Sequence, residues 1–191
     1  MEILTKYFTS TSLVTYQKAE EIAAHFRPAS FKKGDFLLRE REVSDIYLFL
    51  EKGFMRSFAH DTDGVEVTTN FYTARHVVFE VSSFFNRTPS KENIQALDDC
   101  TGWYITYEQL NKLFHSIPEF REFGRSVLVK GFTSLKGRML SMITETAEER
   151  YLNLLRTAPE VFQTAPLKYI ASYLGITDTS LSRIRKDFST R

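Results

Sequence analysis

The sequence predicts an α+β protein in which strands and helices are segregated along the chain, and three observations carry that assignment. Residues 28–106 consist of short runs rich in Phe, Tyr and Val separated by turn signals. After Pro118 apolar residues recur at heptad spacing, and the last 26 residues hold two short amphipathic segments about a tight turn. The first pattern is that of an antiparallel β-sandwich or roll; the other two belong to helices.

In chain order, residues 14–26 place Ile22, Ala23 and Phe26 at helical spacing with Glu20 and Glu21 on the polar side, which predicts one helix. The β region follows, punctuated at Lys33-Gly34-Asp35, Lys52-Gly53, Asp63-Gly64 and Arg87-Thr88-Pro89-Ser90. Residues 45–50 are apolar on both faces, as in a strand between layers, and Gly53 lets the chain reverse before residues 54–58. In residues 65–72 Val65, Val67, Thr69 and Phe71 alternate with polar neighbours, so this set is expected to point inward. Thr106 and Gln109 form a capping box opening a short helix through Leu110, Leu113 and Phe114, where the β region ends.

From Pro118 to about residue 143 the spacing predicts one long helix. Its residues Leu128, Phe132, Leu135, Met139 and Met142 recur at steps of +4, +3, +4 and +3, a seam suited to a second copy of the chain; packing within its own domain is the alternative. Gly124, Gly131 and Gly137 lower its intrinsic helicity, so packing must help hold it. Thr146 and Glu149 form a second capping box, opening a helix through Tyr151, Leu152 and Leu155. The chain therefore divides into residues 1–117, 118–143 and 144–191.

Composition narrows the function classes. With 191 residues, 42% hydrophobic and 26% charged, the chain is a globular protein and not a disordered or fibrous one. Its single cysteine, Cys100, excludes an intrachain disulfide or a four-cysteine metal site and suits a reducing compartment; it is read as a core residue. No run approaches a membrane span and residues 1–8 lack a signal-peptide pattern, so a soluble cytoplasmic protein is expected, without a membrane partner. Charge is uneven: residues 1–124 carry 14 Lys+Arg against 18 Asp+Glu, whereas residues 125–191 carry 11 against 6. An acidic first part carries a basic tail.

The tail holds the sharpest motif. Pro166 suits a helix start, Ile170 and Leu174 form an apolar stripe, and Ala171 is the small residue two crossing helices require. Gly175 falls at the turn, Ile176 plugs the hinge, and Thr177 is a natural N-cap, with Asp178 at the positive end of the helix. Leu181, Ile184 and Phe188 face back. The outward face then holds Thr177, Thr179, Ser180, Ser182, Arg183, Arg185 and Lys186, a set able to bond phosphates and base edges of double-stranded DNA. The segment carries five basic and two acidic residues.

With these motifs in place, the chain from about Phe31 onward resembles the Crp/Fnr type of bacterial transcription regulators, above all the shorter ones of the Bacteroidetes. The resemblance lies in FKKGDFLL, LEKGFMRSF and NIQALDDC of the β region and in GITDTSLSRIRK of the tail. It implies a cyclic-nucleotide-binding-like β-roll (a double-stranded β-helix, or jelly roll) with flanking helices. A dimerisation helix and a C-terminal helix-turn-helix follow, the whole acting as a homodimer on a pseudo-palindromic operator. Members that bind cyclic AMP carry Gly-Glu with an arginine ten residues later. Here Phe79-Glu80 and Ser90 stand at those positions, so the implied effector is an unknown small molecule other than cyclic AMP, in a pocket of Phe79, Glu80, Ser82, Ser90 and Asn93. Arg87 and Lys91 flank that loop. Residues 157–165 are too few for the β-hairpin wing of better-known members, and of their base-reading residues only Arg183 is retained.

Enzyme readings find no support in the residues. His25, His60, His76 and His115 form no HxH or HExxH pair, no GxSxG, P-loop or GxGxxG occurs, and Glu80 alone is not an acid–base pair. No catalytic residue, metal or cofactor is assigned. The alternative from another class is a ligand-binding or protein-interaction module whose DNA-binding tail is vestigial.

Overall fold

The computed structural model describes residues 1–189. It opens with two short helices, α1 (Glu2–Thr9) and α2 (Tyr16–Ala23). Only the second was expected. Thr15 caps it, accepting the Lys18 N–H at 3.4 Å. α1 forms because Leu4 and Phe8, one turn apart, are both fully buried; Phe8 packs edge-on against Phe120 and Phe123 at 5.5 and 5.4 Å.

The β region makes eight strands and one helix: β1 (Arg27–Phe31), β2 (Phe36–Leu38), β3 (Ile46–Lys52), β4 (Met55–His60), β5 (Glu66–Tyr72), β6 (Val77–Val78), α3 (Val81–Asn86), β7 (Asn93–Ala96) and β8 (Cys100–Thr106). They form two antiparallel four-stranded sheets, β1-β8-β3-β6 and β2-β7-β4-β5, so β5 is an edge strand. Leu38, Leu48, Leu50, Met55, Val78, Ile94, Ala96 and Cys100 cluster as one buried core of the roll. β3 is buried on both faces, as its unbroken apolar run demands, and Gly53 turns the chain with φ +101°. The other side of the first sheet is covered by α1, α2, α4 (Tyr107–Ser116) and the start of α5 (Pro118–Thr144), through Phe49, Ile105, Leu110, Leu113, Phe120 and Phe123. Both capping boxes form, at Thr106/Gln109 and at Thr146/Glu149.

β5 departs from expectation. Val65 precedes the strand and is exposed, Val67 is exposed, and Thr68 of the supposedly polar set is fully buried. The pairing explains this: Ser57 opposes Asn70 but Phe58 opposes Thr68, so Thr69 is an extra residue on β5. A bulge reverses the alternation. Thr68 and Phe71, of opposite parity in sequence, therefore share the outer face, while the Thr69 hydroxyl lies 2.8 Å from that of Ser57.

Four helices close the described residues: α6 (Ala147–Thr157), α7 (Glu160–Thr164), α8 (Leu167–Leu174) and α9 (Asp178–Ser189). Residues 157–165, judged too few for a hairpin, contain the single turn of α7. Tyr151, Leu154, Val161, Ile170, Ala171, Leu174 and Leu181 form a separate core that also takes in Phe54 and Leu97 of the roll. No helix among the described residues is long and apolar enough to cross a membrane.

Candidate nucleic-acid interface

The α8–turn–α9 unit follows from a few residues. Gly175 takes φ +68°, a left-handed conformation costly for other residues, and a Cβ there would meet the Met142 methyl at 2.5 Å. The Ile176 N–H donates to the Ala171 carbonyl at 3.0 Å and the Gly175 N–H to that of Ser172 at 3.1 Å, closing α8. Thr177 then caps α9, its hydroxyl accepting the Ser180 N–H at 3.2 Å. Leu181 is fully buried; Ile176, Ile184 and Phe188 are half-buried, and Phe188 stacks on Tyr151.

This fixes the opposite face. Thr179, Ser182, Arg183, Arg185 and Lys186 are exposed together on α9. Thr177 and Ser180 stand at its N-terminus with their hydroxyls 3.0 Å apart, so part of their hydrogen-bonding capacity is spent on the cap. The arrangement offers a phosphate the helix N-terminus and offers a groove two guanidinium groups and an ammonium within the next two turns.

The predicted seam lies on the part of α5 that leaves the roll. Leu128, Phe132, Leu135, Met139 and Met142 are exposed there, Phe132 at 68%. Val129, Leu140 and Ile143 widen the stripe; sequence reading passed over them although they continue the same 3–4 spacing one residue on. Met142 has a second task, as its methyl lies against the turn at Gly175.

Most of the residues assigned to an effector pocket have other work. The Glu80 carboxylate caps α3, accepting the N–H groups of Ser82 and Ser83. Phe79 packs among Tyr47, Phe84 and Phe85 at 5.0–6.0 Å between ring centres. Ser82 is exposed; the buried Ser90 hydroxyl donates to the Glu92 carbonyl at 2.8 Å, and Asn93 Oδ1 accepts the Glu40 N–H at 3.0 Å. Arg87 is tied down as well, donating to the Ser44 carbonyl at 2.8 Å and to Asp45 Oδ1 at 2.7 Å, and stacking over Tyr107. Sequence reading did not single out Glu92. Burial pushes its carboxyl up, the Thr69 hydrogen bond opposes this, the Glu80 charge adds to it, and Arg138 of α5 pulls it down. Two acidic groups and no uncommitted guanidinium from Arg87 mark this side of the roll.

The chain is similar to known proteins in sequence and fold. Residues 28–116 match the cyclic nucleotide-binding domain family. The transcriptional activator protein Anr of Pseudomonas protegens is 24% identical over 186 residues, covering 92% of this chain and 75% of its own length. Among solved structures, FixK2 from Bradyrhizobium japonicum superposes with a TM-score of 0.74 at 18% identity, over 86% of this chain and 85% of its own. CLP, the c-di-GMP responsive global regulator of Xanthomonas campestris, gives a TM-score of 0.70 at 16% identity, over 90% of both chains.

Proposed function

We infer that this chain is a Crp/Fnr-type transcription regulator, built on a cyclic nucleotide-binding domain and acting by binding DNA. The observation that supports it most directly is the α8–turn–α9 unit, with Gly175 in the left-handed region, Leu181 buried and the exposed face of α9 carrying Arg183, Arg185 and Lys186. α9 enters the major groove, Arg183 reads a guanine through its two parallel donors, and Lys186 and the N-terminal hydroxyls hold phosphates. The relatives are regulators, and the chain is read as a non-enzyme of the cytoplasm.

Two copies pair along Leu128, Phe132, Leu135, Met139 and Met142, so that two recognition helices meet successive major grooves of a pseudo-palindrome. Residues 1–117 serve as sensor, 118–143 as dimer helix and 144–191 as reading head. The effector is a small molecule other than cyclic AMP: Ser90 supplies no charge for a cyclic phosphate, Arg87 is held by Asp45, and Glu80 and Glu92 repel an anion.

Selection of DNA from a random pool, followed by the salt dependence of binding to the winner, tests this reading. Enrichment of a two-half-site palindrome with a steep salt slope is the expected result. Failure to enrich any sequence at low salt, with and without a metabolite extract, would overturn it.

A further inference from the structure

α5, α6 and the end of α8 enclose a polar cleft of about 340 Å³, within the size range of small-molecule sites. Two guanidinium groups line it from different helices, Arg138 from α5 and Arg150 from α6. Both close the end of α8. Arg138 donates to the Tyr173 carbonyl at 3.1 Å and Arg150 Nε to the Leu174 carbonyl at 3.1 Å, so two cations are held at adjacent residues of one helix end. Arg138 also donates to the Thr69 carbonyl of β5, and Arg150 to the Glu145 carbonyl at 2.6 Å. The negative end of α8 offsets part of this charge, but carbonyls fix the two side chains without neutralising them. Arg56, Arg87 and Arg125 pair with Glu66, Asp45 and Glu122. Among the described residues Arg138 and Arg150 have no such carboxylate, and Arg138 Nε has no hydrogen-bond partner at all. Glu92 of the roll feels the Arg138 charge but forms no ion pair with it.

The rest of the lining decides what kind of anion fits. Ser134 and Ser141 of α5, with Asn153 and Thr157 of α6, supply hydroxyl and amide groups. Glu145 adds a carboxylate, to which the Ser141 hydroxyl donates. A nucleobase finds nothing to stack on, because the Tyr173 ring is covered by Arg138 at 4.1 Å and packed by Phe71 at 5.1 Å. Guanidinium groups arriving from two helices surround a tetrahedral oxyanion more readily than they share one plane with a carboxylate. A Cβ on Gly137 would meet nothing within 4 Å, so the missing side chain there is part of the space. The cleft also stands clear of the proposed dimer seam. Ser134, Arg138 and Ser141 each come one residue before Leu135, Met139 and Met142, which places them about 100° around α5 from that stripe.

We propose that this cleft binds a small phosphorylated polyol, of the sugar phosphate class. Arg138 and Arg150 take the phosphate; Ser134, Ser141, Asn153, Thr157 and Glu145 take the hydroxyl groups. The site lies outside the roll and apart from the exposed face of α9, so it is distinct from both the effector site and the DNA face proposed above.

Isothermal titration of the full chain with glycerol phosphate, inorganic phosphate, sulfate and glycerol tests the site without DNA. Glycerol phosphate should bind once per chain, at least ten-fold tighter than inorganic phosphate or sulfate, and glycerol should give no heat. Gly137→Leu fills the cleft and should weaken glycerol phosphate at least ten-fold without lowering the melting temperature, since leucine favours a helix more than glycine does. Gly131→Leu makes the same change on α5 outside the lining, again where a Cβ meets nothing, and should leave the affinity unchanged. Arg150→Lys keeps the charge but loses the planar fork and should weaken binding at least ten-fold. Equal affinity for glycerol phosphate, inorganic phosphate and sulfate would mark a non-specific basic patch and overturn the proposal, as would silence with every ligand. Undiminished binding by Gly137→Leu, or an equal loss in both glycine variants, would overturn it as well. The two glycine variants decide the matter even if Arg150→Lys does not fold.

Discussion

Arg183 is exposed two turns below the Thr177 cap, on the same face as Thr179 and Lys186. A bidentate contact to guanine is lost outright when the side chain is truncated, so Arg183→Ala should weaken operator binding by about 1–3 kcal/mol and relax preference at one base pair. Lys186→Ala should weaken every sequence alike and lower the salt slope by about one. Titrations against single-base operator variants separate the two; an equal loss on all variants for Arg183→Ala would refute base reading. Such surface residues are legible in sequence because helical periodicity alone assigns their face. Arg56 is not. In GFMRSF it reads as an ordinary polar residue, and its complete burial depends on Tyr169, 113 positions away in the chain, arriving above it. Glu80 carries a task its family position did not announce: it stands where a ligand-holding carboxylate is expected, but a carboxylate preceding a helix is also a cap, and that cap forms here.

Among the elements, α5 carries the clearest consequence. Its first turns are buried by Phe120 and Phe123, while Phe132, Leu135, Met139 and Ile143 lie exposed farther along. Burying one such side chain contributes about 1.5–3 kcal/mol, and a two-fold axis uses each residue twice. Phe132→Glu places like charges across the proposed axis and should convert the proposed dimer to monomer at micromolar concentration, with operator affinity falling at least 100-fold; sedimentation equilibrium checks the first and titration the second. A variant that stays dimeric would move the interface elsewhere. The exposed apolar stripe, though not what covers it, was legible because spacing specifies one face of a long helix. α1 was not, since Phe8 is held by Phe120 and Phe123 of α5, more than a hundred positions along the chain. The face of β5 was misread because a bulge at Thr69 leaves no mark in composition.

At the scale of the whole molecule, geometry turns these parts into a ruler. In the proposed dimer, two copies of α9 fixed to paired α5 helices would reach major grooves about 34 Å apart, one helical turn of DNA. Inserting about 5 base pairs between half-sites rotates one of them to the far side of the duplex. Binding to that operator should drop to the level of unrelated DNA in a competition assay; retained affinity would mean that the reading heads are independently tethered. The separate cores were foreseeable from the switch in periodicity after residue 106, whereas their contact was not, because Phe54, Phe71 and Leu97 carry no sequence sign of which helix will cover them.

That contact limits how far the chain is modular. The edge of β5 offers the Thr68 N–H and the Thr69 carbonyl outward, and both are satisfied only by residues beyond the roll, Ser172 and Arg138. A bare edge of this kind recruits strands from other molecules. A roll cut away after residue 117 should therefore expose an adhesive edge, and grafting it onto a different C-terminal unit would transfer that adhesion along with the fold.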